Sequence, residues 1–149
     1  MTWQRRTALR QISGRGRQER ALDKLCRELV VVLRDQSTCQ RCLATRDGSP
    51  ISRPTQIHWA HVVTRNAKSI RWREFNVLAL CAGCHSWFDH NKREAWPWFA
   101  ARFPERALAI DAWRADRHKK RVDLSLEALS LLQQLSVARG ERSATGDCC

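Results

Sequence analysis

Cys39 and Cys42 form one C-x-x-C pair and Cys81 and Cys84 a second, with His58, His61 and Asn76 between them and His85 directly after. Each pair lets two sulfurs converge on an ion from a tight knuckle. Two pairs supply four ligands at about 2.3 Å, a closed tetrahedral zinc site with no position left for water. The remaining imidazoles suit a different chemistry: a neutral histidine can take a proton as general base or bind a cation that keeps open positions. His85 and Asp89 stand i and i+4 and would share one face of a helix, so they are the preferred ligands for a second cation. His90, about 140° around the helix from His85, is the alternate.

The chain that must position these groups has 149 residues, enough for one small domain with extensions, and 43% are hydrophobic. A metal staple would supply stability that so small a core lacks. The net charge of +12 and pI of about 10.4 favour a polyanionic partner, nucleic acid first. An anionic membrane surface fits less well, because no basic stretch carries a long apolar face. The longest apolar run, Leu29 to Leu33, is far short of the roughly 20 residues that span a bilayer, and the N-terminus has no apolar signal-peptide centre. A cytoplasmic location is expected, where spaced cysteines bind metal more often than they pair as disulfides.

Residues 1–17, with Arg5, Arg6, Arg10, Arg15 and Arg17 and no acid, are read as a flexible basic arm. Leu22, Leu25, Leu29 and Val32 predict a helix from about residue 18 to 33, with Cys26 a buried small hydrophobe near its stripe. A knuckle and loop follow over 35–54. The alternation around Ile57, Trp59, His61 and Val63 predicts a strand over 55–64, and Val77 to Leu80 a second. A helix starting near residues 82–84 would carry His85 and Asp89. Asn91 with Glu94 reads as a helix start, and Pro97 predicts a kink or a later start. Further helices are expected after Pro104 and around Leu124, Ala128, Leu131 and Leu135, with a disordered tail over 140–149. The fold class is α+β: a core over 18–104 and a helical extension over 105–139.

Four segments carry a resemblance: Cys39-Gln40-Arg41-Cys42, Ala60-His61-Val62-Val63, Asn76-Val77-Leu78-Ala79-Leu80 and Cys81-Ala82-Gly83-Cys84-His85. In this order they resemble the HNH endonucleases, the ββα-metal nucleases, in the zinc-stapled, treble-clef-like form found in tailed phages and prophages. The resemblance covers about residues 18–104. It implies a β-hairpin and helix around a catalytic cation, with His61 as the base, Asn76 holding the loop that orients it, and His85 on the metal. It implies a divalent-metal-dependent DNA endonuclease of phage or prophage DNA processing, acting in the bacterial host cell. Many members place a carboxylate immediately before the base histidine. Here that position is Ala60, and His58, three before the base, is the alternate ligand.

Phosphodiester hydrolysis needs a base to activate water and a cation to offset charge on the leaving oxygen. A His–carboxylate set admits Mg²⁺, Mn²⁺ or Zn²⁺. Arg65, Lys68, Arg71 and Arg73 are expected to grip phosphates around the scissile bond, helped by the basic arm and the helices. The tryptophans are expected to pack in the core. The alternative function is a non-catalytic zinc-finger nucleic-acid-binding protein with a degenerate site, favoured by Ala60. A third reading is an adaptor whose C-terminal helix docks a protein partner.

Overall fold

The computed structural model describes residues 14–43, 56–116 and 121–145. The chain is mixed α+β, mostly helical, with one two-stranded antiparallel sheet and a cluster of four cysteines. Helix α1 (Gly14–Arg27) begins inside the stretch read as a basic arm; residues 1–13 of that arm lie outside the described residues. Its apolar stripe buries Leu22 and Cys26, as the spacing predicts. The helix then widens into a π turn over Glu28–Arg34, closed by Asp35 N–H donating to the Val30 carbonyl at 2.8 Å. A run of five apolar residues cannot be sorted onto one face at 3.6 residues per turn. The wider turn puts Leu29, Val30 and Val31 together in the core and leaves Val32, expected on the stripe, 46% exposed.

Strands β1 (Ile57–His61) and β2 (Val77–Cys81) pair with Ile57 opposite Cys81 and His61 opposite Val77. Val77, Leu78, Ala79 and Leu80 are all fully buried, because β2 is covered on both faces. One core packs β2 against Ile70, Phe88, Phe99 and Ile110; the other joins Leu22, Cys26 and Leu29 to Trp72, Leu131 and Leu135. Trp59 packs against both.

Two arginines from distant segments fix the entry to β2. Arg34 donates to the carbonyls of Glu74 and Val77, both at 2.7 Å, and Arg106 donates to the Val77 carbonyl at 2.6 Å. The Asp35 carboxylate completes the clamp, accepting from Arg34 at 2.7 Å and from the Ala79 N–H at 2.9 Å. These bonds satisfy buried backbone groups that a two-stranded sheet alone would leave unpaired.

Helices α2 (Ala82–His90), α3 (Lys92–Arg102) and α4 (Pro104–Ala115) follow in tight succession. Helix α3 starts at Lys92 with Pro97 inside it, so the later start does not occur, and Asn91 makes no side-chain cap. Helix α5 (Leu124–Thr145) runs past residue 140, where a disordered tail was expected; residues 146–149 lie outside the described residues. It docks through Leu124, Leu131 and Leu135, while Leu129 and Leu132 face outward. No described helix is long and apolar enough to cross a membrane.

Candidate metal centres and histidine cleft

The ligand sulfurs of Cys39, Cys42, Cys81 and Cys84 all lie within 4.8 Å of one another and could hold a metal ion. The Cys42 and Cys81 sulfurs are 3.7 Å apart, close to the separation of about 3.8 Å that tetrahedral geometry gives for bonds of 2.3 Å. Local structure builds each half. Cys81 ends β2 and caps α2, its sulfur accepting from the Cys84 N–H at 3.5 Å. The first knuckle hangs on β2 through Gln40 N–H donating to the Ala79 carbonyl at 2.9 Å, and it leaves through Leu43 in the left-handed region at φ 61°. Arg41 lies over the Trp87 ring at 3.7 Å and points a guanidinium N–H at the Cys84 sulfur, so a positive group already faces the thiols. Burial pushes the Cys84 thiol up to about 12, against the pull of Arg41. Cys26 is also pushed up to about 12 by burial; it stands apart from the cluster, with its thiol against the Trp72 carbonyl.

The cluster ties the start of α2 to the 39–42 turn, and His85 is the next residue. Its Nδ1 lies 3.2 Å from Nδ1 of His58 on β1. The outer nitrogens are occupied: His58 Nε2 is 3.3 Å from the Gln56 side-chain oxygen, and His85 Nε2 is 3.4 Å from the Asp89 carboxylate. The two Nδ1 atoms share a hydrogen bond when one ring carries its proton there, and present two facing lone pairs to a cation when both rings carry theirs on Nε2. Two nitrogens at about 2.1 Å from one ion in tetrahedral geometry would stand about 3.4 Å apart, so this pair fits a shared cation. Burial lowers the His85 pKa, which keeps the ring available as a neutral ligand.

The structure therefore brings Asp89 to His85, but on the far side of the ring from His58. A carboxylate there fixes the tautomer and does not reach an ion between the Nδ1 atoms. The alternates separate: His58 joins His85, whereas exposed His90 turns back to the Ser86 carbonyl at 2.7 Å. A regular strand sends residues three apart, such as His58 and His61, to opposite faces. They do alternate along β1, yet both border one cleft of about 1020 Å³ that follows the strand and is also lined by His85, Arg65 and Lys92.

His61 is buried, 8% exposed. Its Nε2 has no hydrogen-bond partner among the described residues. That nitrogen is also shielded from solvent. Burial, followed by the charges of Arg65 and Arg71, lowers the pKa of His61 to about 4, so the ring is neutral near pH 7. Trp59 meets it edge-on at a centroid distance of 4.5 Å.

Fully buried Asn76 closes the connection after His61. Its side-chain oxygen accepts from the Val63 N–H at 2.7 Å, its amide donates to the carbonyls of Val63 and Ile70, and its backbone carbonyl accepts from Val62 at 2.9 Å. Three basic residues of that connection pair with acids from other helices. Lys68 pairs with Glu19 at 2.6 Å, Arg71 with Asp23 at 2.6 Å, and Arg73 with Glu127 at 3.1 Å. Of the four expected phosphate grips, only Arg65 borders the cleft. The acids of α1 have no recognisable signal in the sequence as partners of residues 48 and 49 positions later. Asp23 also accepts from Trp72 Nε1 at 2.8 Å, so α1 holds the segment around Arg71 and Trp72. The chain matches no family model, no curated protein and no solved structure in the comparisons made.

Proposed function

We propose that this chain is a divalent-metal-dependent endonuclease that hydrolyses DNA phosphodiester bonds, built on a ββα-metal core stapled by Zn²⁺ at the four cysteines. The observation that carries the reading is the convergence on one cleft of His61 and the His58–His85 pair 3.2 Å apart. His61, neutral near pH 7, takes a proton from the attacking water. Asn76 fixes the chain on either side of Val63 and so limits the movement of His61. His58 and His85 would hold the cation, with Asp89 orienting His85 and Arg65 placed to meet the phosphate. A divalent cation bound there supplies Lewis-acid stabilisation of the charge on the departing 3′ oxygen. Processing of phage or prophage DNA in a bacterial cytoplasm is the setting that the sequence resemblance supports.

Plasmid nicking tests this. Zinc-loaded protein should convert supercoiled DNA to the open circle with Mg²⁺ or Mn²⁺ and not with chelator in excess of the added cation. His61→Ala should lower the rate by about 10²–10⁴-fold with zinc content unchanged. Wild-type protein inert with Mg²⁺, Mn²⁺ and Zn²⁺ alike would contradict the enzyme reading. It would leave the second reading, a zinc-braced nucleic-acid binder without activity. Ala60, buried at 1% exposure where a carboxylate would otherwise precede the base, is the observation favouring that one.

A further inference from the structure

Helix α1 carries Arg20, Lys24 and Arg27 at intervals of four and three, the spacing of one helical face. All three are exposed. The acids of the same stretch face elsewhere: Glu19 and Asp23 bond to Lys68 and Arg71, and Glu28 pairs with Arg139. No carboxylate among the described residues pairs with Arg20, Lys24 or Arg27. The stripe spans about 10 Å at 1.5 Å per residue, the length of about three phosphates along one strand of a duplex.

Its placement ties it to the histidine cleft. Arg27 lines that cleft. Lys24 and Arg27 border a second cavity of about 390 Å³ that shares Gln56 and Ile57 with it. Arg20 borders another, of about 330 Å³, that shares Arg65 and Asn66 with it. The stripe thus runs alongside the mouth of the cleft, with Arg65 next to one end and Arg27 at the other.

We propose that the exposed face of α1 formed by Arg20, Lys24 and Arg27 is a binding site for the phosphate backbone of duplex DNA, and that it lays the strand across the histidine cleft. The second half of this statement rests on the endonuclease reading; the binding itself does not. The acids of α1 that neutralise Lys68 and Arg71 leave Arg20, Lys24 and Arg27 to meet the polyanion.

The test is binding of zinc-loaded, full-length protein to a fluorescent 20-base-pair duplex over a series of NaCl concentrations. In the Arg20→Gln/Lys24→Gln/Arg27→Gln variant, the slope of log affinity against log salt should become shallower by about 2.7, at about 0.9 for each phosphate no longer neutralised. The charge reversal Lys24→Glu, a single exposed change, should weaken binding on its own. Helix content and zinc content are checked in both. An unchanged slope in the triple variant, or no duplex binding by the wild type, overturns the proposal. So does loss of binding to phosphatidylserine vesicles with duplex binding intact, which would make the stripe a membrane contact. Plasmid nicking run in parallel separates the two readings: a shallower slope in a protein that never nicks keeps the stripe and removes the nuclease, and nicking with an unchanged slope does the reverse.

Discussion

The cysteine cluster and the histidine cleft lie within a few residues of each other along α2, and they are built on opposite principles. Four sulfurs of one kind converge within 4.8 Å, from two knuckles whose backbones are pinned to β2 and to the start of α2. The cleft has two imidazole nitrogens facing each other, a third histidine in its wall, and open volume beside them. A saturated ligand set holds structure, and an unsaturated one leaves positions for a reactant. Sharing α2 makes the second depend on the first, since Cys84 and His85 are adjacent.

Loss of the brace should have the greatest consequence. Cys39→Ser or Cys81→Ser should abolish stoichiometric zinc binding and unfold the α2 region, because structural zinc contributes on the order of 10 kcal/mol to such small cores. Circular dichroism melts with metal analysis check this. A variant that keeps the wild-type melting temperature would break the division between brace and cleft.

A smaller effect separates the histidines. His58→Ala should raise the Mn²⁺ concentration needed for half-maximal nicking by at least about tenfold while leaving zinc content at the wild-type level, and His90→Ala should leave that requirement unchanged. Equal responses from the two variants would contradict the pairing of His58 with His85.

The smallest effect is electrostatic. The lowered pKa of His61 means that the folded protein resists protonating this ring until pH approaches about 4, whereas an ordinary histidine gains its proton near 6.5. The His61 ring resonances should therefore stay fixed from about pH 8 down to about 5.5 in an NMR titration. A midpoint near 6.5 would show a solvated ring and remove the buried base from the comparison.

How far these features could be read from the chain differs between the two regions. The cysteine cluster was legible because C-x-x-C spacing fixes a knuckle almost independently of the rest of the fold. The strands and α2 were legible from short apolar runs beside it, and Asn76 from its place in the series. The cleft was less legible because its geometry depends on which ring nitrogen faces which neighbour. Periodicity placed His85 and Asp89 on one face, but no spacing rule shows that Asp89 would meet Nε2 and leave Nδ1 to His58. The cations of residues 68–73 looked available because their partners, Glu19, Asp23 and Glu127, are about 50 residues away in either direction. The π turn escaped as well: a five-residue apolar run gives no phase, so Val32 could not be told from Val31.

The most direct measurement of the cleft's chemistry is a titration of zinc-loaded, histidine-¹⁵N-labelled protein with Mn²⁺, following the ring nitrogens by NMR. Paramagnetic broadening should reach Nδ1 of His58 and His85 together at the lowest Mn²⁺ additions and spare His90. Broadening that spares both Nδ1 atoms, or appears first at His90, would contradict a cation held between His58 and His85.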